Sequence, residues 1–573
     1  CESPRIVVLV QAVVAHKGGW PGARACFIHA TGAIMTRLSL AAILSALACL
    51  FALAAPAQAG WRVAETENFI YYSEAPPQEL RQTVGRLQTF DKLVRALTGN
   101  QRASSPLKVV IFEVADMDEV NNTFPYESYG VGGYYSSTRQ GPFLVTFRNV
   151  LRTGQGSAFK ASRQSLTWGP EVRQHEYLHH YMYQYFNANY PSWYSEGFAE
   201  YYGTMAFPEP NVVEIGHAPY FRMDAIRSGD WIHVEKLLTA KSYADVRDQI
   251  GALYAEGWLL THLAATRPER GAQLKAYLNA VANGTPYDQA AREAFGDLDA
   301  LNRELRKYRS EFKAVRLSLK PIDEAAIPVR ELTPVESELM RYQIRLYSGF
   351  DYAALSQIVS ATRKIRAAEP DNRMGLQIQV QLENLAHKHQ DALETATRLL
   401  ALYPGDTIGL THLGIARAGL LTPQSSEEEW ETAREPLREA IATSAIAVEP
   451  RVALFQTFLD QKVMPSLEAQ NRMVEAFTLV PSNDDIRYLL ARDFEQRGMI
   501  EDAIGVIKPA AFGAFDGDER EKARREKQLA QAAKRYSNIS AYESPVDMLK
   551  RLEAKRDGRW DEARGVIIAA ASN

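Results

Sequence analysis

The stretch that decides the reading is Gly169-Pro170-Glu171-Val172-Arg173-Gln174-His175-Glu176-Tyr177-Leu178-His179. It is followed, across the break Asn187-Ala188-Asn189-Tyr190-Pro191, by Ser192-Trp193-Tyr194-Ser195-Glu196-Gly197-Phe198-Ala199-Glu200. Pro170 suits the first turn of a helix that runs to about Phe186. On that helix His175 and His179 stand at i and i+4, on one face and one turn apart, where two imidazoles can converge on one metal ion. Glu176 adjoins the first histidine and can face a water at the metal without ligating. A second helix begins near Ser192. Folded back antiparallel on the first, it returns Glu196 over the histidines as a third ligand and leaves an open position for water. Glu200, four residues on, shares the face of Glu196 and is placed to accept a hydrogen bond from a ligand imidazole.

Upstream of this segment the pattern is that of a sheet. Phe69-Ile70-Tyr71-Tyr72, Leu107 to Phe112 and Phe143 to Phe147 read as strands. Gln78 to Leu97 has helical spacing and stops at Thr98-Gly99. Sheet followed by helices predicts an α+β domain over residues 60–318. Leu319 to Thr333, with Pro321 and Pro328, reads as a linker that extends to residue 336.

From Ser337 to residue 573 the chain is almost continuous amphipathic helix. Pro370 and Pro404 are 34 residues apart, and Gln390-Asp391-Ala392, Glu501-Asp502-Ala503 and Asp561-Glu562-Ala563 share a small signature. The insertion Thr422-Pro423-Gln424-Ser425-Ser426 lengthens one unit. A helix–turn–helix unit of this period, closed by proline, resembles the tetratricopeptide (TPR) repeat and implies an all-α TPR-like solenoid over 337–573, a surface that takes peptides or a partner protein.

The amino-terminal part reads differently. Met35-Thr36-Arg37, the apolar run from Leu38 to about Ala55 and the small-residue site Ala57-Gln58-Ala59 have the layout of a secretory signal peptide over 35–59, with Gly60 as the mature start. Residues 1–34 then lie upstream of a natural start, as an over-extension. Cys1, Cys26 and Cys49 are the three cysteines of the chain, and all precede Gly60. The exported chain therefore has no disulfide, no thiolate metal site and no cysteine nucleophile. The whole sequence carries a net charge of -4. Four basic residues (Arg5, Lys17, Arg24, Arg37) lie in the leader, so the remainder is more acidic still, which argues against nucleic-acid binding. No later run is apolar enough to span a membrane. A periplasmic or extracellular protein is expected.

His-Glu-x-x-His followed by Trp-x-x-Glu-Gly-Phe-Ala resembles the gluzincin zinc metallopeptidases, the aminopeptidase N and peptidase-MA-like groups in particular. The resemblance implies zinc held by His175, His179 and Glu196, with Glu176 as general base. It extends to Tyr254-Ala255-Glu256-Gly257, where Tyr254 matches a tyrosine that stabilises the tetrahedral intermediate and Glu256 stands in place of a lysine. The Gly-x-Met-Glu-Asn segment that recognises a free α-amine in the large aminopeptidases has no counterpart. Gly130-Val131-Gly132-Gly133-Tyr134 lies at the right distance but supplies no acid. The expected activity is hydrolysis of peptide bonds in the cell envelope. A non-catalytic TPR scaffold with a degenerate zinc domain, or a zinc hydrolase of a non-peptide amide, are the alternatives. Of the other histidines, His180 points about 100° round the helix from His179 and reads as packing or polar. His217, His233 and His262 read as ordinary satisfied histidines, with His217 near enough to Tyr220-Phe221 to line a cleft.

Overall fold

The computed structural model describes residues 60–123, 132–148, 168–186, 190–209, 211–219, 222–228, 231–240, 243–318, 324–350, 352–513, 543–563 and 565–567. The leader and its cleavage site, Gly130-Val131, and the charged run Asp516 to Lys527 lie outside the described residues. The protein is mixed α/β and mostly helical: a small sheet region is followed by a long helical region, and the described residues belong to one compact unit.

Strands β1 (Arg62–Glu65) and β2 (Phe69–Ser73) lead into helix α1 (Pro77–Thr98), which starts on proline and stops at Gly99, whose φ of 66° is left-handed. Then follow β3 (Val109–Val114), α2 (Met117–Thr123), β4 (Tyr134–Thr138) and β5 (Gly141–Phe147). With β9 (Val329–Glu331) these make a six-stranded sheet in the order β4-β5-β3-β2-β1-β9. The central strands β2, β3 and β5 are parallel, and β1, β9 and β4 run antiparallel to their neighbours. β3 and β5 are buried on both faces, which is why they read as unbroken apolar runs. Three strands of this sheet went unread: β1, β4 and β9. β1 is only four residues long, β4 begins in the Gly- and Tyr-rich run from Gly130 to Ser137, and β9 is three residues, Val329-Arg330-Glu331, inside the segment expected to be a linker.

Both faces of the sheet are covered. Phe69, Tyr71, Val109, Ile111 and Leu144 face α1 and helix α3 (Trp168–Tyr185). Val110, Phe112, Phe143 and Val145 face the other way. Between α3 and the helical region lie α4 (Ser192–Gly203), β6 (Ala206–Glu209), β7 (Val212–Ile215), α5 (Met223–Ser228), α6 (Val234–Thr239), α7 (Ile250–Thr266), α8 (Pro268–Ala282), α9 (Tyr287–Phe295), α10 (Leu298–Tyr308) and β8 (Val315–Ser318). β6, β7 and β8 form a second, antiparallel sheet.

The helical region opens with α11 (Pro334–Ser348), whose Thr333 and Glu336 form a capping box. Met340, Ile344 and Tyr347 of α11 cover the second face of the six-stranded sheet. α12 (Leu355–Arg366) is followed by pairs: α13 (Arg373–Leu385) with α14 (His389–Leu402), α15 (Thr407–Gly419) with α16 (Glu427–Thr443), α17 (Glu449–Gln461) with α18 (Leu467–Leu479), and α19 (Asp484–Gln496) with α20 (Ile500–Gly513); α21 (Pro545–Arg556) and a two-stranded sheet, β10 (Trp560–Asp561) and β11 (Val566–Ile567), follow. The first helices of successive pairs begin at 373, 407, 449 and 484, steps of 34, 42 and 35 residues. The longest step contains the insertion at 422–426. Asn372, Asp406 and Asn483, each two residues after a proline, cap α13, α15 and α19 with a side-chain oxygen. No described helix is long and apolar enough to cross a membrane.

Candidate metal centre

Helix α3 is fixed to the sheet by buried polar ties that leave one face for chemistry. Arg173 donates to the Glu113 carboxylate of β3 at 2.6 Å, and Glu113 also accepts from the Tyr71 and Ser73 hydroxyls at 2.8 and 2.6 Å. A buried pair of this kind is costly unless its remaining polar atoms are satisfied; both Glu113 oxygens are, whereas Arg173 Nε has no partner among the described residues. Tyr177 donates to Asp91 of α1, and Gln174 donates to the carbonyls of Gly203 and Met205 at the end of α4.

The turn of α3 between these ties presents His175 and His179 towards Glu196 on α4. The His175 Nε2 to His179 Nε2 distance is 3.1 Å, His175 Nε2 to Glu196 Oε2 is 3.2 Å, and His179 Nε2 to Glu196 Oε2 is 3.6 Å. A tetrahedral zinc with bonds of about 2.0–2.1 Å separates its N and O donors by about 3.3–3.4 Å, so the three edges fit one small cation. Among the described residues this is the group of three or more histidine and acidic side chains so gathered. Both histidine side chains are 15% exposed against 6% for the carboxylate.

Two glycines bring the helices this close. A Cβ on Gly197 would lie 2.3 Å from the Gly257 carbonyl oxygen, and one on Gly257 would lie 2.4 Å from the Trp193 carbonyl oxygen. The Glu-Gly pairs at 196–197 and 256–257 therefore mark the crossing of α4 and α7 with backbones in contact.

The electrostatics favour a cation. Burial alone would depress His175, but its hydrogen bond with Glu196 and the charges of Glu200, Glu196 and Glu176 outweigh it and push its pKa up to about 9. Burial alone would raise Glu196, yet the two histidines hold its carboxyl well below the usual range. Glu176 is raised by burial, against the charges of His175 and His179 and the backbone amide of Tyr135. It lies beneath the edge strand, where a Cβ on Gly133 would come within 3.2 Å of its Cγ and 2.5 Å of Val172 Cγ1.

Tyr254 of α7 also reaches the centre, its ring 6.4 Å from that of His175 and inclined by 21°. Burial and the charge of Glu196 hold its phenol well above the ordinary value, so it stays protonated. Glu200 behaves differently from expectation. Its partner is Arg222, whose Nε donates at 2.9 Å, and no imidazole donates to it. A permanent guanidinium is the stronger partner for that carboxylate. The same Arg222 lies 4.1 Å from the centroid of the Tyr254 ring, tying Glu200 to Tyr254. Nothing in the sequence around Arg222 singled it out. Glu256 turns away from the centre and accepts from the Ile232 amide, and burial pushes its pKa up to about 9.

The remaining histidines stand apart. His180 packs between Tyr135 and Tyr177, and burial lowers it to about 3. His217 pairs with Glu214, His233 caps α6, and His262 bonds the Tyr308 hydroxyl. A cavity of about 310 Å³ lies elsewhere, among Arg438, Arg451, Glu468 and Arg472 of the helical region. Its arginines are already paired with Glu431, Glu468 and Glu475, so it offers no free charge for catalysis.

No family model matches the chain, and no curated protein is significantly similar to it. The functional reading therefore rests on the geometry.

Proposed function

We propose that this protein is a zinc-dependent hydrolase of the gluzincin type that cleaves peptide bonds, exported to the cell envelope and carrying TPR-like repeats. The observation that carries the reading is the donor triangle of His175, His179 and Glu196 with Glu176 beside it. A structural site has no need of that carboxylate; a hydrolytic one does.

His175, His179 and Glu196 would hold the ion. A zinc ion there supplies Lewis acidity, lowering the pKa of water towards neutrality and polarising a carbonyl. Glu176 takes a proton from the attacking water and returns it to the leaving amine. The Tyr254 hydroxyl, protonated and carried on a ring stacked 6.4 Å from that of His175, donates to the oxygen on which negative charge develops. Arg222 pairs with Glu200 and packs on the Tyr254 ring, steadying the group that must donate.

The test is metal analysis of the purified protein, with hydrolysis of casein and a peptide library in the presence and absence of a chelator. One equivalent of zinc and chelator-sensitive cleavage are expected. Bound zinc with no cleavage of any peptide pool beyond that of Glu176→Gln would sink the proposal.

A further inference from the structure

The face made by the first helices of the pairs already has an occupant. The β4–β5 hairpin, whose tip is Arg139-Gln140, meets α13, α17 and the start of α19. Gln140 donates its side-chain amide to Gln381 of α13. Arg139 donates to Gln456 Oε1 of α17 at 2.6 Å, and its positive charge faces Glu449 and Asp460 of the same helix, although burial still pushes Asp460 up to about 6. Asn483 donates its Nδ2 hydrogen to the Ser137 carbonyl at 2.8 Å, and the Ser482 and Tyr135 hydroxyls share a hydrogen bond of 2.8 Å.

These contacts fall on the free edge of the sheet. β4 is a terminal strand, and its outward groups would otherwise lie open to solvent or to another chain. On that edge the Ser137 carbonyl is taken by Asn483, and Glu176 lies against Gly133 at the start of the strand, where the Tyr135 amide lowers its pKa. Tyr135, two residues after Gly133, thus links the two sides, its amide acting on the carboxylate and its hydroxyl bonded to the helical region.

We infer that the helical region is a clamp on the edge strand, and that Asn483 and Arg139 are positioning residues that hold β4, and through Tyr135 the Glu176 carboxylate, in place. The role given to Glu176 rests on the hydrolytic reading above; the clamp does not. The face of the first helices is therefore engaged within the chain, and a partner that used it would have to displace the hairpin. Asn483 offers a clean separation of fold from clamp. Its Oδ1 caps α19 by accepting from Ile486, while its Nδ2, among the described residues, donates to Ser137. Asn483→Asp keeps the cap and removes the donor.

The experiment is hydrogen–deuterium exchange on the full chain loaded with zinc, for wild type, Asn483→Asp, Arg139→Ala and Arg139→Lys, beside metal content and steady-state kinetics. Amides of residues 133–138 should exchange about tenfold faster in Asn483→Asp and Arg139→Ala, while α3, α4 and zinc content are unchanged. Arg139→Lys should restore most of the protection. With a cleaved peptide in hand, kcat should fall about tenfold and KM should stay. Exchange of β4 within twofold of wild type in both disruptive variants overturns the clamp. Faster exchange with kcat unchanged overturns the positioning role. A wild type that cleaves nothing, with β4 loosened in the variants, overturns the hydrolytic reading and leaves the clamp standing.

Discussion

Glu176 and Tyr254 differ in what their loss should do. Glu176→Gln removes the base and keeps the three donors, so zinc content should hold while kcat falls by about 10²–10⁴. Tyr254→Phe removes one donor to the developing oxyanion and should lower kcat by about 10²-fold at unchanged KM and zinc content. A fall in metal content alongside activity in either variant would place that side chain in the binding of the ion instead. Glu256 yields a stability prediction with a definite sign. Its folded pKa is raised from 4.5 to about 9 by burial. Below about pH 4.5 both states are protonated and the group costs nothing. Above it the unfolded carboxyl ionises while the buried one keeps its proton, so stability is lost at about 1.4 kcal/mol per pH unit until about pH 9, where the folded carboxyl also ionises. Glu256→Gln should therefore raise Tm at pH 7 by the equivalent of about 3 kcal/mol and flatten the decline between pH 5 and 9. Melting curves of both proteins at pH 5, 7 and 8.5 check this; parallel curves would reject it. Residue chemistry was also the most legible level. The i, i+4 histidines are a local pattern, and a helix brings them together whatever surrounds it. Arg222 was invisible because its partners, Glu200 and Tyr254, are distant in sequence, and nothing local marks one arginine among many.

At the scale of elements, the site depends on how closely α4 crosses α7. Gly197→Ala would drive a methyl group into backbone on the facing helix, and there is no flexible side chain to yield. The helices must separate, which displaces Glu196, the adjacent residue, from the histidines. The expected cost is about 1–3 kcal/mol or more in stability, with a loss of zinc affinity of at least tenfold. Thermal denaturation and competition with a chromophoric chelator measure the two effects, and an unchanged zinc affinity would show that the crossing does not set the ligand geometry. The sequence displayed the Glu-Gly pairs at 196–197 and 256–257, but not that they face each other. Periodicity finds helices and strands; it does not say which helix a glycine must admit. The same limit hid β4, whose Gly/Tyr-rich run lacks an apolar alternation, and β1 and β9, which are too short to show one.

Across the whole molecule, the boundary that the sequence suggests between a catalytic part and a repeat part does not divide the core. α11 begins the helical region, yet its Met340, Ile344 and Tyr347 pack on Phe112, Phe143 and their neighbours in the sheet, joined by Met374 at the start of α13. β9, from the expected linker, is a strand of that sheet. A chain ended at residue 336 would keep the donor triangle in its sequence and uncover an apolar face of several large side chains. Each such side chain contributes about 1.5–3 kcal/mol when buried, so the loss is on the order of 10 kcal/mol, as large as the entire stability of an ordinary domain. Residues 60–336 alone should therefore be insoluble, or soluble only as aggregates that bind a hydrophobic dye and retain little zinc. Residues 60–573 should give a monodisperse protein with one equivalent of the metal. Size-exclusion chromatography, dye binding and metal analysis of the two chains distinguish these states. A well-folded, zinc-binding 60–336 would mean that the face beneath α11 is dispensable. The helical region would then be an appendage to the centre, and the division drawn from the change in sequence pattern near Ser337 would also be the division of the fold.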